Sequence, residues 1–139
     1  MARRFVITGG GTGGHVTPAL ALGAAVVDRG DEVLFIGSSR GLEARLVPDA
    51  GFELRLLPSE QVMGRSGLGR LRGVLSIVRS VGSALRILWQ YRPDAVISVG
   101  GYAAAPTALA AWLVRRPLFL VEPNAIPGRV NRLTAHLAR

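Results

Sequence analysis

The segment Gly9–His15, GGGTGGH, ends in a histidine after a stretch in which five of six residues are glycine. Histidine is the side chain whose ordinary charge change falls nearest neutral pH, which makes it a natural general base. A helix N-terminus disfavours the imidazolium through the macrodipole, so a histidine there stays in the proton-accepting form. The bland alternative for His15 is a surface side chain hydrogen-bonded within the turn.

Three ligand classes compete for the glycines. As a triphosphate loop, GGGTGGH fails at His15, where a lysine should stand. Gly9, Gly11 and Gly14 satisfy G-x-G-x-x-G between a strand and a helix, the proper context for a dinucleotide. The ribose-binding acid expected after the second strand is missing; Gly37-Ser38-Ser39-Arg40 stands there instead and suits a 2′-phosphate. A nicotinamide-phosphate oxidoreductase therefore stays open, as does a turn without ligand. Two further loops add chemistry, Gly100-Gly101-Tyr102 and Glu122-Pro123-Asn124-Ala125-Ile126-Pro127-Gly128. Exposed backbone N–H groups in such turns can converge on one anion.

The elements that must position these loops are read from apolar runs. Strands are expected at Phe5–Thr8, Val33–Ile36, Leu54–Leu57, Ala95–Val99 and Leu118–Val121. Between them, helices are expected at Pro18–Asp28 with Thr17 as N-cap, Leu42–Ala50, Leu68–Tyr91 and Pro106–Val114, with Gly128–Ala138 last. This alternation predicts an α/β, Rossmann-like doubly wound parallel sheet, with ligands beyond the carboxyl ends of the strands. From Ala95 to Val114 there are 20 consecutive uncharged residues, near the ~20 needed to span a bilayer. Gly100, Gly101 and Pro106 interrupt them, so a buried strand, loop and helix are expected instead.

With 139 residues, the chain has the length of one domain. It has no cysteine, which excludes disulfides and thiolate metal sites, and it shows no secretory signal. All 17 basic residues are arginine, and 11 of them lie in residues 61–139 against only Asp94 and Glu122. Such a field favours phosphorylated substrates, polyanions or an anionic bilayer. In Leu68–Tyr91 the apolar positions Leu68, Leu71, Val74/Leu75, Val78, Val81, Leu85 and Leu88 predict one buried face. Arg65, Arg72, Arg79 and Arg86 recur every seven residues as a basic stripe behind the turn Glu60–Gly64. Membrane docking and an ordinary solvated face both fit that stripe.

Gly10-Gly11-Thr12-Gly13-Gly14-His15-Val16-x-Pro18-Ala19-Leu20-Ala21, with Gly100-Gly101-Tyr102 and Glu122-x-Asn124-x-x-Pro127-Gly128-x-x-Asn131, resembles the MurG family. The resemblance runs from Phe5 to the last residue. It implies a two-domain glycosyltransferase of the B type, of which residues 1–139 are the N-terminal acceptor- and membrane-binding domain, the donor-binding domain being absent from this chain. The implied reaction is inverting transfer of N-acetylglucosamine from UDP-N-acetylglucosamine to the muramyl 4-hydroxyl of undecaprenyl-pyrophosphoryl-muramyl pentapeptide, lipid I, giving lipid II.

By this resemblance His15 is the catalytic base, and Thr12, Gly13, Gly14 and Asn124 contact the donor. Gly10 and Gly11, with Gly100, Gly101 and Tyr102, hold the acceptor pyrophosphate. Arg72, Arg79 and Arg86 face the anionic membrane surface at the cytoplasmic face of the bacterial inner membrane, where the family is peripheral. No cofactor, metal or nucleic acid is implied. Two departures stand out: Pro123 replaces the family's usual glutamine, and Ala104 a common serine. A non-catalytic membrane subunit of a split transferase is the remaining alternative.

Overall fold

The computed structural model describes residues 1–58 and 67–138, with side chains from residue 72 onward in the second stretch. Arg65 and the turn Glu60–Gly64 lie outside the described residues, as do the side chains of Leu68 and Leu71. The order is β1 (Arg4–Thr8), α1 (Gly13–Asp28), β2 (Glu32–Ser38), α2 (Glu43–Asp49), β3 (Leu54–Leu57) and α3 (Gly67–Tyr91). It continues with β4 (Ala95–Ser98), α4 (Ala104–Leu113), β5 (Leu118–Leu120) and α5 (Arg129–Thr134), then a 3₁₀ turn, Ala135–Leu137.

The strands form one parallel sheet in the order β3-β2-β1-β4-β5. Alternating side chains feed two cores, as the twofold period of a strand requires. Val6, Leu34, Ile36, Val96 and Leu118 meet Ala84 and Leu88 of α3 and the alanines of α4. Ile7 and Phe35 meet Ala19 of α1 and Val47 of α2 on the other side. The uncharged stretch divides as expected into β4 and α4, and no helix of the described residues is long and apolar enough to cross a membrane.

Two expectations need correction. First, α1 starts at Gly13 with Thr12 as N-cap, not at Pro18 after Thr17. Glycine's poor helix propensity and proline's preference for the first turn point to the later start. Pro18 instead sits inside the helix and deprives the Gly14 carbonyl of its helical donor, which is tolerated because Gly14 is exposed to water.

Second, α3 does not bury its most apolar residues throughout. Its buried stripe is Gly73, Ser76, Ser80, Ala84 and Leu88, while Val74, Leu75, Ile77 and Val78 are each more than half exposed. Small side chains let the helix lie close to its neighbours, and the Ser80 hydroxyl donates to the Pro58 carbonyl. Apolar periodicity marks a helix, but the tertiary contacts select which face is covered.

Candidate active site

The sheet order makes β1, β4 and β5 neighbours, so the loops that follow them emerge side by side on one edge. The boundary between β1 and β4 is where the winding reverses, the usual crevice of an open parallel sheet. There the two glycine loops touch through their backbones. The Gly10 N–H donates to the Gly100 carbonyl at 3.2 Å. A β-carbon on Gly101 would overlap the Gly10 carbonyl oxygen.

His15 is the third residue of α1 and is half-buried beside this junction. Its Nδ1 lies 3.0 Å from the Thr12 hydroxyl oxygen. A β-carbon on Gly100 would lie 3.3 Å from His15 Nε2 and 3.5 Å from Asn131 Nδ2, so the imidazole and the Asn131 amide flank the same glycine. Among the described residues nothing hydrogen-bonds Nε2, which leaves that nitrogen for a reacting hydroxyl once Nδ1 is anchored.

The β5 loop is organised by Glu122. Its carboxylate accepts the Asn124 N–H at 3.0 Å, the Asn124 side-chain amide at 2.9 Å, the Gly128 N–H at 2.8 Å and the Asn131 amide at 3.0 Å. The Gly128 and Asn124 N–H groups hold the acid down at a pKa of about 2. Asn131 also donates to the Val121 carbonyl at 3.1 Å; its buried Oδ1 has no partner among the described residues. Asn124, exposed on this loop, has its amide nitrogen committed to Glu122 and its oxygen available.

The predicted donor, acceptor and catalytic residues thus gather at one edge, with different amides on offer, whereas the predicted membrane arginines lie on α3. Gly10 is engaged by Gly100, and the Gly11 N–H donates to Glu43 Oε2 at 2.8 Å. Gly13 and Gly14, first in α1, have no carbonyl partner within the helix. Tyr102 stands out from its loop, 89% exposed. Ala104 is fully buried and Pro123 is exposed on the β5 turn. Arg72, Arg79 and Arg86 are all exposed on α3. Among the described residues no His, Asp and Glu side chains cluster so as to hold a metal ion.

Glu43 is the residue that sequence reasoning missed. A signal was present in Gly41-Leu42-Glu43, an acid at the start of a short helix directly after glycine. Glu122 and Asn131 belong to the motif read in the sequence, but their bonding to each other is visible only in the fold.

Residues 5–139 match the glycosyltransferase family 28 N-terminal domain. The chain belongs to glycosyltransferase family 28. A relative from Pelobacter propionicus, named UDP-N-acetylglucosamine–N-acetylmuramyl-(pentapeptide) pyrophosphoryl-undecaprenol N-acetylglucosamine transferase, is 44% identical over 97% of this chain and 36% of its own length. A protein of the same name from an Anaeromyxobacter species is 47% identical over 94% of this chain and 35% of its own. The chain therefore spans a little over a third of the curated relatives it matches. The crystal structure of Acinetobacter baumannii MurG superposes with a TM-score of 0.84 at 30% identity, covering 99% of this chain and 40% of that one.

Within family 28 the dinucleotide reading of the glycines fails. The first acid after β2, Glu43, opens α2 and turns into the glycine loop. Its carboxylate takes the Gly11 N–H that a cofactor pyrophosphate would need.

Proposed function

We propose that this chain is the acceptor- and membrane-binding domain of a transferase that moves N-acetylglucosamine from UDP-N-acetylglucosamine to the muramyl 4-hydroxyl of lipid I. The observation that carries this is His15, anchored at Nδ1 by Thr12 and presenting Nε2 where the two glycine loops meet. In this reading Nε2 removes the hydroxyl proton as the oxygen attacks the anomeric carbon. The bond from that carbon to the UDP oxygen breaks with inversion, and UDP leaves with the bonding electron pair. The α1 amides of Gly13 and Gly14, the Thr12 hydroxyl and the Asn124 side chain face the donor phosphates and sugar. The loop at Gly100, Gly101 and Tyr102 faces the acceptor pyrophosphate. Gly10 and Gly11 contribute the shape of the loop, their N–H groups being engaged within the protein.

The remaining length of the relatives supports a second, donor-binding domain as the opposite wall. The exposed Val74, Leu75, Ile77 and Val78, bordered by Arg72 and Arg79, support peripheral docking on an anionic membrane. The lipid tail of the acceptor requires a membrane surface, and in this reading that surface is the cytoplasmic face of the bacterial inner membrane.

Transfer to a soluble lipid I analogue, measured with the chain alone and with a donor-binding domain joined to it, tests this reading. Transfer is expected only with both, since holding two reactants together is worth about 7–11 kcal/mol. The chain alone should bind a pyrophosphate-bearing acceptor analogue and hold the UDP-sugar weakly. Tight UDP-sugar binding, or turnover by the chain alone, would overturn it.

A further inference from the structure

Glu43 is an acid with only 1% of its surface exposed, and it makes no ion pair among the described residues. Its charge is stabilised by backbone and hydroxyl donors instead. Oε1 accepts the Ser38 N–H at 2.9 Å and the Ser38 hydroxyl at 2.7 Å, and Oε2 accepts the Gly11 N–H at 2.8 Å. Three glycines, one from each surrounding segment, make the room. A β-carbon on Gly10, Gly37 or Gly41 would overlap the Glu43 side chain. The carboxylate therefore fills a closed cradle between the end of β2 and the glycine loop.

That cradle resembles an anion site already occupied. A ring of N–H donors in a glycine loop ordinarily attracts phosphate, but here a fixed carboxylate takes the donor at Gly11. A second anion on that amide would meet a like charge at hydrogen-bonding distance in a desolvated place, where charge repulsion is strong. Burial alone would raise the acid's pKa; the N–H groups of Gly11 and Ser38 and the Ser38 hydroxyl outweigh it and leave the pKa lowered, so the carboxylate stays charged.

We infer that Glu43 is a positioning and specificity-determining residue: its carboxylate occupies the anion position inside the glycine loop and confines incoming phosphate to the Gly13–Gly14 amides beside His15. This rests on the site reading given under Proposed function. It adds that the loop rejects phosphate at one end, which separates this site from a dinucleotide turn of the same glycine spacing.

Backbone amide NMR on the chain, titrated with inorganic pyrophosphate, tests the inference without catalysis. In the wild type, Gly13 and Gly14 resonances should move and Gly11 should not. Glu43→Gln keeps the shape but removes the charge, so Gly11 should become responsive and lose its protection from hydrogen exchange. In the two-domain enzyme the same change should lower kcat at least tenfold while KM for UDP-N-acetylglucosamine stays within about twofold. A wild-type Gly11 that moves with Gly13 and Gly14 would overturn the inference. So would a Glu43→Gln protein whose Gly11 exchange and kcat match the wild type. If pyrophosphate moves none of these amides in the wild type, the phosphate assignment fails as well, whereas an active enzyme disabled by His15→Ala but not by Glu43→Gln refutes the role of Glu43 alone.

Discussion

The Nε2 edge of His15 lies against Gly100 so closely that a β-carbon at residue 100 would come within 3.3 Å of it. The two residues are 85 positions apart and are brought together because β1 and β4 pair in register, Thr8 beside Ser98. An imidazole in the first turn of α1 is thus set over the backbone of the loop that follows β4.

Gly100→Ala should therefore act on His15. Residue 100 has φ +88°, in the left-handed region that costs a side-chain-bearing residue about 1–3 kcal/mol, and the added methyl would press on the imidazole. Thermal unfolding should register the strain, and transfer should fall well beyond what lost stability explains. A Gly100→Ala enzyme with full turnover would show that the imidazole does not work from this position.

His15→Ala in the two-domain enzyme should reduce kcat by about 10²–10⁴-fold if the imidazole is the general base. Thr12→Val removes only the hydroxyl at Nδ1, a net hydrogen bond of about 0.5–1.5 kcal/mol, and should cost roughly two- to tenfold. Steady-state kinetics on both variants, with circular dichroism for the fold, gives the ratio. Equal, small losses would reduce His15 to a helix-start residue.

The proposed membrane docking has two separable parts. Arg72, Arg79 and Arg86 replaced together by glutamine should weaken binding to anionic vesicles at low salt, because surface charges act within about 8 Å at physiological ionic strength. Replacing Val74, Leu75, Ile77 and Val78 by serine should weaken binding at every salt concentration, through lost apolar burial. Vesicle co-sedimentation across a salt series distinguishes the two. Undiminished binding by both variants would move the docking surface elsewhere.

Acid should loosen the β5 loop. Glu122 has its pKa lowered from 4.5 to about 2 in the fold, so its carboxylate form is the one the folded state prefers. The stability it contributes is present above the ordinary carboxylate range and is lost as pH falls from about 4.5 toward about 2. Glu122→Gln should already show that loss at neutral pH, with faster amide exchange at Gly128, and the gap to wild type should close on acidification. A gap independent of pH would mean that the loop is held by something other than this charge.

The sequence by itself determined the strand-and-helix alternation, the glycine loops at strand ends and the histidine that closes the first of them. Each is a local matter: apolar β-branched runs, glycine clusters and a histidine after them are recognisable within a few residues. The MurG-like motifs were legible for the same reason, being short and ordered along the chain. Only the tertiary structure decided the order β3-β2-β1-β4-β5, which brings His15 to Gly100 and Asn131. It also decided that α1 begins at Gly13, that α3 turns Ser76 and Ser80 inward and Val74 and Val78 outward, and that Glu43 lies inside the glycine loop. These depend on contacts between residues far apart in the chain. Propensity and periodicity describe what a segment can form, whereas the neighbour against which it packs selects the face, the start and the hydrogen-bond partner.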